Sequence, residues 1–181
     1  MRIGIVRHFR VDYKPKRFMN SSDFEEYVNH YDISPVIINK INSEDIRWKK
    51  CYSSDLQRAV TTAGSIYDGD IITTALLREV IMYPVIRTSL KLPGFLWSIS
   101  SRTAWRLNHR SQKETLSDTA ERAEKFINNL NLNSDEEILI VSHGFFLMTL
   151  IKKLRDRGFK GTIPCNMKNG YLYVLENSSE K

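Results

Sequence analysis

Two short apolar runs, residues 3–6 and 138–141, constrain the fold more strongly than any other feature of the sequence. Both are rich in isoleucine and valine, and neither is interrupted by a polar residue. Such runs are typical of strands buried on both faces of a parallel sheet. Strand patterns alternate with helical patterns along the chain, and this alternation predicts an α/β fold built on a largely parallel sheet.

The remaining elements are predicted from periodicity and from helix-start signals. Further strands are predicted at residues 48–53, 71–72 and 171–175, and helices at 55–67, 118–130 and 145–157. An earlier helix begins at a capping box formed by Ser22 and Glu25, and Asp118 with Glu121 gives the same signal later. At 181 residues the chain is predicted to be one domain, residues 1–181, that carries an insertion at about residues 81–112.

Composition narrows the classes of ligand and compartment. The formal charge is +6, from 27 basic and 21 acidic side chains, which favours anionic ligands. No dense run of lysine and arginine is present, so a nucleic-acid partner is not expected. The two cysteines, Cys51 and Cys165, form no metal-ligand pattern, and residues 80–107 are too interrupted to span a membrane. We therefore expect a cytoplasmic protein with no integral membrane segment, no metal and no cofactor.

Charged or basic side chains stand where three of the predicted strands end. Arg7 and His8 follow the first strand, and His143 follows the strand at 138–141. Arg58 lies at the start of the helix after the strand at 48–53. Because parallel strands put their carboxyl ends on one edge of the sheet, we expect these four side chains to converge on one pocket.

Two guanidinium groups and two imidazoles suit a phosphoryl dianion. Arginine binds phosphate oxygens in a bidentate manner and stays protonated at any working pH. A histidine beside two arginines is pushed towards its neutral form, because a like charge disfavours protonation. Neutral imidazole is a nucleophile, whereas imidazolium is not.

Three motifs in the chain resemble those of the histidine phosphatase superfamily, the phosphoglycerate-mutase-like enzymes, and in particular its branch of small phosphatases. They are Arg7-His8, Ser53-Ser54-Asp55-Leu56-Gln57-Arg58-Ala59-Val60-Thr61-Thr62-Ala63 and Val141-Ser142-His143-Gly144. The second is the most specific, since the family pattern is close to Ser-Ser-x-Leu-x-Arg-Ala-x-x-Thr-Ala. The resemblance covers about residues 1–176.

The resemblance implies a three-layer α/β/α sandwich and assigns roles to individual residues. His8 would be the phosphorylated nucleophile, and Arg7, Arg58 and His143 would bind the phosphate. The family also uses a carboxylic acid as proton donor in a Leu-x-Glu context, which Leu77-Arg78-Glu79 matches. Glu79 would protonate the leaving oxygen, a step that contributes about 10²–10⁴-fold to the rate.

Two regions depart from the family pattern. The family motif continues from Arg-His to glycine, whereas here Phe9 and Arg10 follow, so Phe9 must supply the carbonyl that orients the histidine. Residues 81–112 mix aromatic and basic side chains and are expected to form a lid over the site. Arg10 and Arg87 are candidate substrate-binding residues. The mixture in the lid suits a ligand with an apolar part and a phosphate, a homodimer contact or a membrane-surface patch equally well.

These features predict a metal-independent hydrolase that acts on a small phosphorylated metabolite through a phosphohistidine intermediate. The alternatives are phosphoryl transfer within one substrate, as in a phosphoglycerate mutase, and a phospho-ligand binding module without turnover. A cysteine-dependent phosphatase is excluded, because Cys51 and Arg58 are separated by six residues where that loop needs five. The clustered Asp and His ligands of a metal phosphatase are also missing from the sequence.

Overall fold

The computed structural model describes residues 1–39, 41, 46–132 and 136–177. The strands are β1 (Arg2–Arg7), β2 (Arg10–Val11), β3 (Phe18–Met19), β4 (Val36–Ile37), β5 (Lys50–Ser54), β6 (Ile71–Thr74), β7 (Leu92–Pro93), β8 (Glu137–Ser142) and β9 (Leu172–Glu176). The helices are α1 (Ser21–Ile33), α2 (Gln57–Gly64), α3 (Gly94–Arg106), α4 (Leu116–Asn128) and α5 (Gly144–Arg155), and a 3₁₀ turn covers Ala75–Leu77.

The central sheet has five strands in the order β6-β5-β8-β1-β9. The first four of these run parallel, and β9 pairs antiparallel with β1 at the edge. In the register of β1 and β8, Arg7 pairs with Ser142. The residues that follow them, His8 and His143, therefore leave the sheet side by side.

Helices cover both faces of this sheet. Ile138 and Ile140 of β8 belong to a core cluster that also holds side chains of α4 and α5. Leu139 and Val141 belong to a second cluster, which they share with α2. Successive residues of a strand face opposite sides, so the two clusters lie on opposite faces of the sheet. The predicted three-layer α/β/α architecture with a largely parallel sheet is confirmed.

A third cluster joins α1 to α3, and the sequence analysis did not predict α3. Trp97 of α3 stacks on Phe24 of α1 with ring centroids 5.8 Å apart. The indole N–H of Trp97 also donates a hydrogen bond of 2.7 Å to the carbonyl of Met19. Residues 81–112 thus contain a helix that is fixed to α1. Their role as a lid stays a prediction.

Both predicted capping boxes are displaced from their true positions. The N-cap of α1 is Asn20, whose side chain accepts from the N–H of Asp23 while the Asp23 carboxylate accepts from the N–H of Asn20. The N-cap of α4 is Thr115, and Asp118 is its partner three residues later. The acidic residue of each box, Asp23 in α1 and Asp118 in α4, lies inside the first turn, where it faces the free N–H groups.

No helix in the described ranges is both long and apolar enough to cross a membrane.

Candidate active site

The carboxyl ends of the parallel strands bring the predicted residues together. Arg7, His8, Arg58 and Glu79 line one cavity of about 490 Å³. The fully buried ring of His143 lies directly beside it, with its centroid 5.0 Å from that of His8. Helices α1 and α3 supply much of the remaining wall.

The hydrogen bonds of His8 define its tautomer. Its Nδ1 lies 2.6 Å from the carbonyl oxygen of Phe9, which can only accept, so Nδ1 carries the proton. Burial, then the charges of Arg58 and Arg7, lower the pKa of His8 to about 3 against the opposing effect of the Phe9 hydrogen bond. The ring is neutral near pH 7, and its Nε2 carries a lone pair.

Phe9 orients His8 without unusual backbone geometry. Phe9 has a negative φ, since among the described residues the non-glycine residue with a positive φ is Asn108. The Phe9 N–H donates to Thr62 Oγ1 at 2.9 Å, and its buried ring packs against Gly170. A Cβ on Gly170 would lie 2.4 Å from the Phe9 ring, so the space for the phenyl group comes from a glycine elsewhere in the chain.

His143 has the opposite tautomer. Its Nδ1 accepts a hydrogen bond of 3.1 Å from Nε of Arg58, so the proton of the neutral ring is on Nε2. Burial, followed by the charge of Arg58, lowers the pKa of His143 well below its ordinary value. Its buried Nε2 has no hydrogen-bond partner within the described part of the chain. The two rings, 5.0 Å apart between centroids, thus differ in tautomer: His8 has an unprotonated Nε2, and His143 has an unpaired Nε2–H.

Arg58 is held from two sides. While Nε donates to His143, Nη1 donates to the carboxylate of Asp32 at 2.7 Å. The guanidinium also lies over the ring of Tyr31, with its carbon 5.5 Å from the centroid. Its side chain is 1% exposed. Asp32 and Tyr31 both come from α1, so this helix fixes a residue of α2.

Arg7 is anchored through one of its nitrogens. Nη1 donates to the carbonyl of Met167 at 3.0 Å. Its buried Nε has no partner among the described residues. A Cβ on Gly144 would lie 3.3 Å from that Nε, so glycine after His143 leaves room for the guanidinium at the start of α5.

Glu79 lies at the N-terminus of α5. Its Oε2 accepts from the N–H of Phe145 at 3.2 Å, and its Oε1 accepts from the N–H of Phe146 at 3.1 Å. His143, the N-cap of α5, makes no capping bond with its own side chain, so Glu79 serves as the cap from outside the helix. Its carboxylate faces the cavity at a fixed position.

Comparisons with known proteins identify the family of the chain. The family model for the histidine phosphatase superfamily (branch 1) matches residues 41–181. The chain belongs to this superfamily. The matched range contains Arg58, Glu79 and His143, whereas Arg7 and His8 precede it. A search of curated protein sequences gives no match.

Solved structures similar to this chain cover the first motif as well. Bacillus stearothermophilus YhfR has a TM-score of 0.59 at 18% identity, covering 98% of this chain and 92% of that one. The alpha-ribazole phosphatase of Shigella flexneri has a TM-score of 0.54 at 18% identity, with 98% and 96% covered. The phosphoserine phosphatase of Entamoeba histolytica has a TM-score of 0.56 at 14% identity, with 99% and 98% covered. At these identities the likeness establishes the fold.

Two of the predicted substrate-binding residues lie away from this cavity. Arg10 is exposed on β2, which pairs with β4. Arg87 is exposed and pairs with Glu25 of α1 at 3.0 Å. Neither lines the cavity, whereas Arg102 and Arg106 of α3 do. Arg102 donates to the carbonyl of Val80 at 3.1 Å and lies 3.6 Å above the ring of Phe145.

The sequence analysis did not predict several residues that form hydrogen bonds with the residues of the site. Asp32 carries no motif, and its contact with Arg58 spans 26 residues. Asn169, whose side chain donates to the His8 carbonyl at 2.7 Å, is equally without a signal. Thr62 lies inside the second motif, and its hydroxyl joins the Arg58 carbonyl to the Phe9 N–H. That motif position was the one available clue.

Cysteine and metal chemistry find no support at this site. Cys51 is buried in the cluster under α2, and burial raises the pKa of its thiol to about 12, so it is not a thiolate near pH 7. The described ranges hold no group of three or more His, Cys, Asp or Glu side chains placed to bind a metal ion.

Proposed function

We propose that this protein hydrolyses a phosphomonoester in two steps through a phosphohistidine at His8. The observation that carries the proposal is the pair of opposite tautomers. The Nε2 of His8 is free to act as nucleophile and the Nε2–H of His143 is free to donate, and the centroids of the two rings are 5.0 Å apart. A nucleophile next to an oxyanion donor is the arrangement that phosphoryl transfer requires.

In the first step His8 Nε2 attacks phosphorus in line with the ester oxygen. The P–N bond forms as the P–O bond to the leaving group breaks. The carboxylic acid of Glu79 gives its proton to that oxygen, which leaves as an alcohol. Arg7, Arg58 and the His143 N–H bind the non-bridging oxygens, where negative charge collects in the transition state.

In the second step water displaces His8. The Glu79 carboxylate formed in the first step takes a proton from water while the oxygen of that water attacks phosphorus. The P–N bond breaks, inorganic phosphate leaves, and both His8 and Glu79 return to their starting protonation states. Because no step uses a metal ion, we expect turnover to survive EDTA. The names of similar structures, an alpha-ribazole phosphatase and a phosphoserine phosphatase, support a small phosphorylated substrate.

The test is to trap the intermediate. The wild type is quenched during turnover of a ³²P-labelled phosphomonoester, and the protein is analysed for acid-labile, base-stable label. We expect label on the wild type and on His109→Ala, whose histidine is exposed outside the cavity, but none on His8→Ala. Labelled protein in His8→Ala would refute the assigned nucleophile. Binding of phosphate esters without hydrolysis would indicate a binding module, and label moved to a second hydroxyl would indicate a mutase.

A further inference from the structure

The cavity has two ends of different chemistry. At the sheet edge it is lined by Arg7, His8 and Arg58. Away from that edge most of the wall is apolar or aromatic, and these side chains are Tyr27, Val28, Tyr31, Val80, Ile81, Met82, Ile99 and Phe145. Asp32, Glu79, Ser98, Arg102, Thr103 and Arg106 also line the cavity. A phosphate held at the first end would direct the rest of its molecule along the second.

Part of this wall is exposed to solvent. Ile81 and Ile99 both line the cavity and are 47% and 59% exposed. On the same face of α3, Phe95 is 63% exposed and Leu96 is 40% exposed. Several large apolar side chains grouped at the mouth of a cavity mark a binding surface more often than single exposed residues do.

The apolar surface continues beyond this cavity. Tyr27 and Ser98 also line a neighbouring cavity of about 460 Å³. Its wall includes Phe18, Met19, Pro93 and Phe95, with Lys16 and Arg17 among its other lining residues. We call the two cavities together, from His8 past Tyr27 and Ser98 to Phe95, the α1–α3 groove.

The groove is built on fixed elements. Trp97 holds α3 against α1 by stacking on Phe24 and by its hydrogen bond to Met19. Ser101, on the same helix, donates to the carbonyl of Tyr83 at 2.7 Å. Because the wall is held in place, a ligand does not bear the cost of ordering it.

The geometry points to an amphiphilic phosphomonoester as the substrate class, and this inference rests on the proposed function. The phosphate binds at His8 and a single apolar chain lies along the α1–α3 groove. The Nε–H of Arg7 and the Nε2–H of His143 belong to the residues at the sheet edge, and both are unpaired within the described ranges, so they are the donors assigned to the phosphate. Arg102 and Arg106 also line the cavity. Arg102 donates to the Val80 carbonyl, lies over the Phe145 ring and is 3.9 Å from Glu79 Oε2, while its buried Nε has no partner among the described residues.

A series of n-alkyl phosphates from methyl to octyl tests this directly. Each methylene buried in the groove is expected to raise kcat/KM about fourfold until the chain passes the apolar wall. The measurement is release of inorganic phosphate, with octyl phosphate kept below its critical micelle concentration. A kcat/KM that is the same for methyl and octyl phosphate would overturn the inference.

A matched pair of variants locates the effect. Ile99→Asn is expected to lower the octyl-to-methyl ratio of kcat/KM about tenfold, because the wall loses apolar area. Ile86→Asn is the control, since Ile86 is also 59% exposed but lines neither cavity. Equal ratios in the two variants would overturn the placement of the chain.

A binding measurement separates this inference from the proposed function. Octylphosphonate and methylphosphonate, which cannot be hydrolysed, are titrated into the wild type by calorimetry. Tighter binding of octylphosphonate supports the placement of the apolar chain in the groove. If this binding is seen without turnover of any ester, only the proposed hydrolase activity is refuted. Turnover of p-nitrophenyl phosphate with equal binding of the two phosphonates refutes only the groove.

The source of the amphiphile is resolved by a last comparison. Phosphatidic acid in phosphatidylcholine vesicles is offered beside monomeric octyl phosphate. Hydrolysis of both supports a lipid of a bilayer as substrate, and hydrolysis of octyl phosphate alone supports a dissolved amphiphile. Hydrolysis of neither, when p-nitrophenyl phosphate is turned over, counts against the inference.

Discussion

The two ends of the cavity are held in contrasting ways. At the sheet edge three polar side chains are fixed by hydrogen bonds: His8 donates to the Phe9 carbonyl, His143 accepts from Arg58, and Arg58 donates to Asp32. Along the α1–α3 groove most of the wall is apolar, with Arg102, Arg106, Lys16 and Arg17 among its other lining residues, and Ile99 is more than half exposed. The sheet edge can define chemistry because its tautomers and charges are set before a ligand arrives. The groove can define only size and polarity, so a substitution there should alter preference rather than rate.

Glu79→Gln tests the sheet edge with the largest expected effect. We expect kcat/KM for an alkyl phosphate, which reports the first step, to fall about 10²–10⁴-fold, because the leaving alkoxide loses its proton donor. The loss of kcat/KM should be much smaller for p-nitrophenyl phosphate, whose leaving group departs without protonation.

Stability and a matched variant serve as controls for that experiment. The amide introduced by Glu79→Gln keeps one oxygen that can accept from the N-terminus of α5, so thermal unfolding should change only modestly. Glu121→Gln, on the exposed face of α4, should retain full activity. An equal loss of kcat/KM for both substrates would show that Glu79 does not act as the proton donor of the first step.

Arg58→Met is expected to have the next largest effect. It removes a phosphate ligand and also the hydrogen bond that fixes the tautomer of His143, and we expect kcat/KM to fall about 10²–10³-fold. Arg10→Met and Arg87→Met are the controls, because both arginines are exposed and outside the cavity wall. These two should change kcat/KM less than about twofold. A large effect of Arg87→Met would place substrate on the outer face of α1.

A smaller effect is expected for the pH dependence of the unfolding free energy, which also tests the sheet edge. The pKa of His8 falls from about 6.5 in the unfolded chain to about 3 in the folded one. Protons therefore favour the unfolded chain between these values, and stability is lost as pH falls from about 6.5 towards 3. Removing the imidazole in His8→Asn should reduce the slope of unfolding free energy by about 1.4 kcal/mol per pH unit in that window.

Urea unfolding followed by circular dichroism at several pH values measures those slopes. Above about pH 7 the wild-type and His8→Asn curves should run parallel, because both states hold a neutral ring there. Parallel curves down to pH 4 would show that the imidazole titrates alike in both states.

The sequence was sufficient to predict which residues meet at the sheet edge, because strand ends and motif order are local features. Buried runs placed β1 and β8, and the residues directly after them became neighbours once the strands paired in parallel. Asp32 could not be found this way, since its contact with Arg58 depends on how α1 packs on α2. The sequence did not predict helix α3 for two reasons. Its N-cap is Pro93, which makes no side-chain cap, and its exposed face carries Phe95 and Ile99 in place of polar residues.

The contact between Phe9 and Gly170 limits the order in which this site can change by mutation. Any side chain at position 170 would meet the phenyl ring at 2.4 Å on a backbone with φ of +63°, so that exchange is barred while the ring remains. Replacing Phe9 by a smaller residue first leaves an unfilled space and removes the clash, but the positive φ at position 170 still favours glycine. A lineage that acquired the bulky residue after its nucleophile would thus keep the distant glycine for as long as it kept the ring.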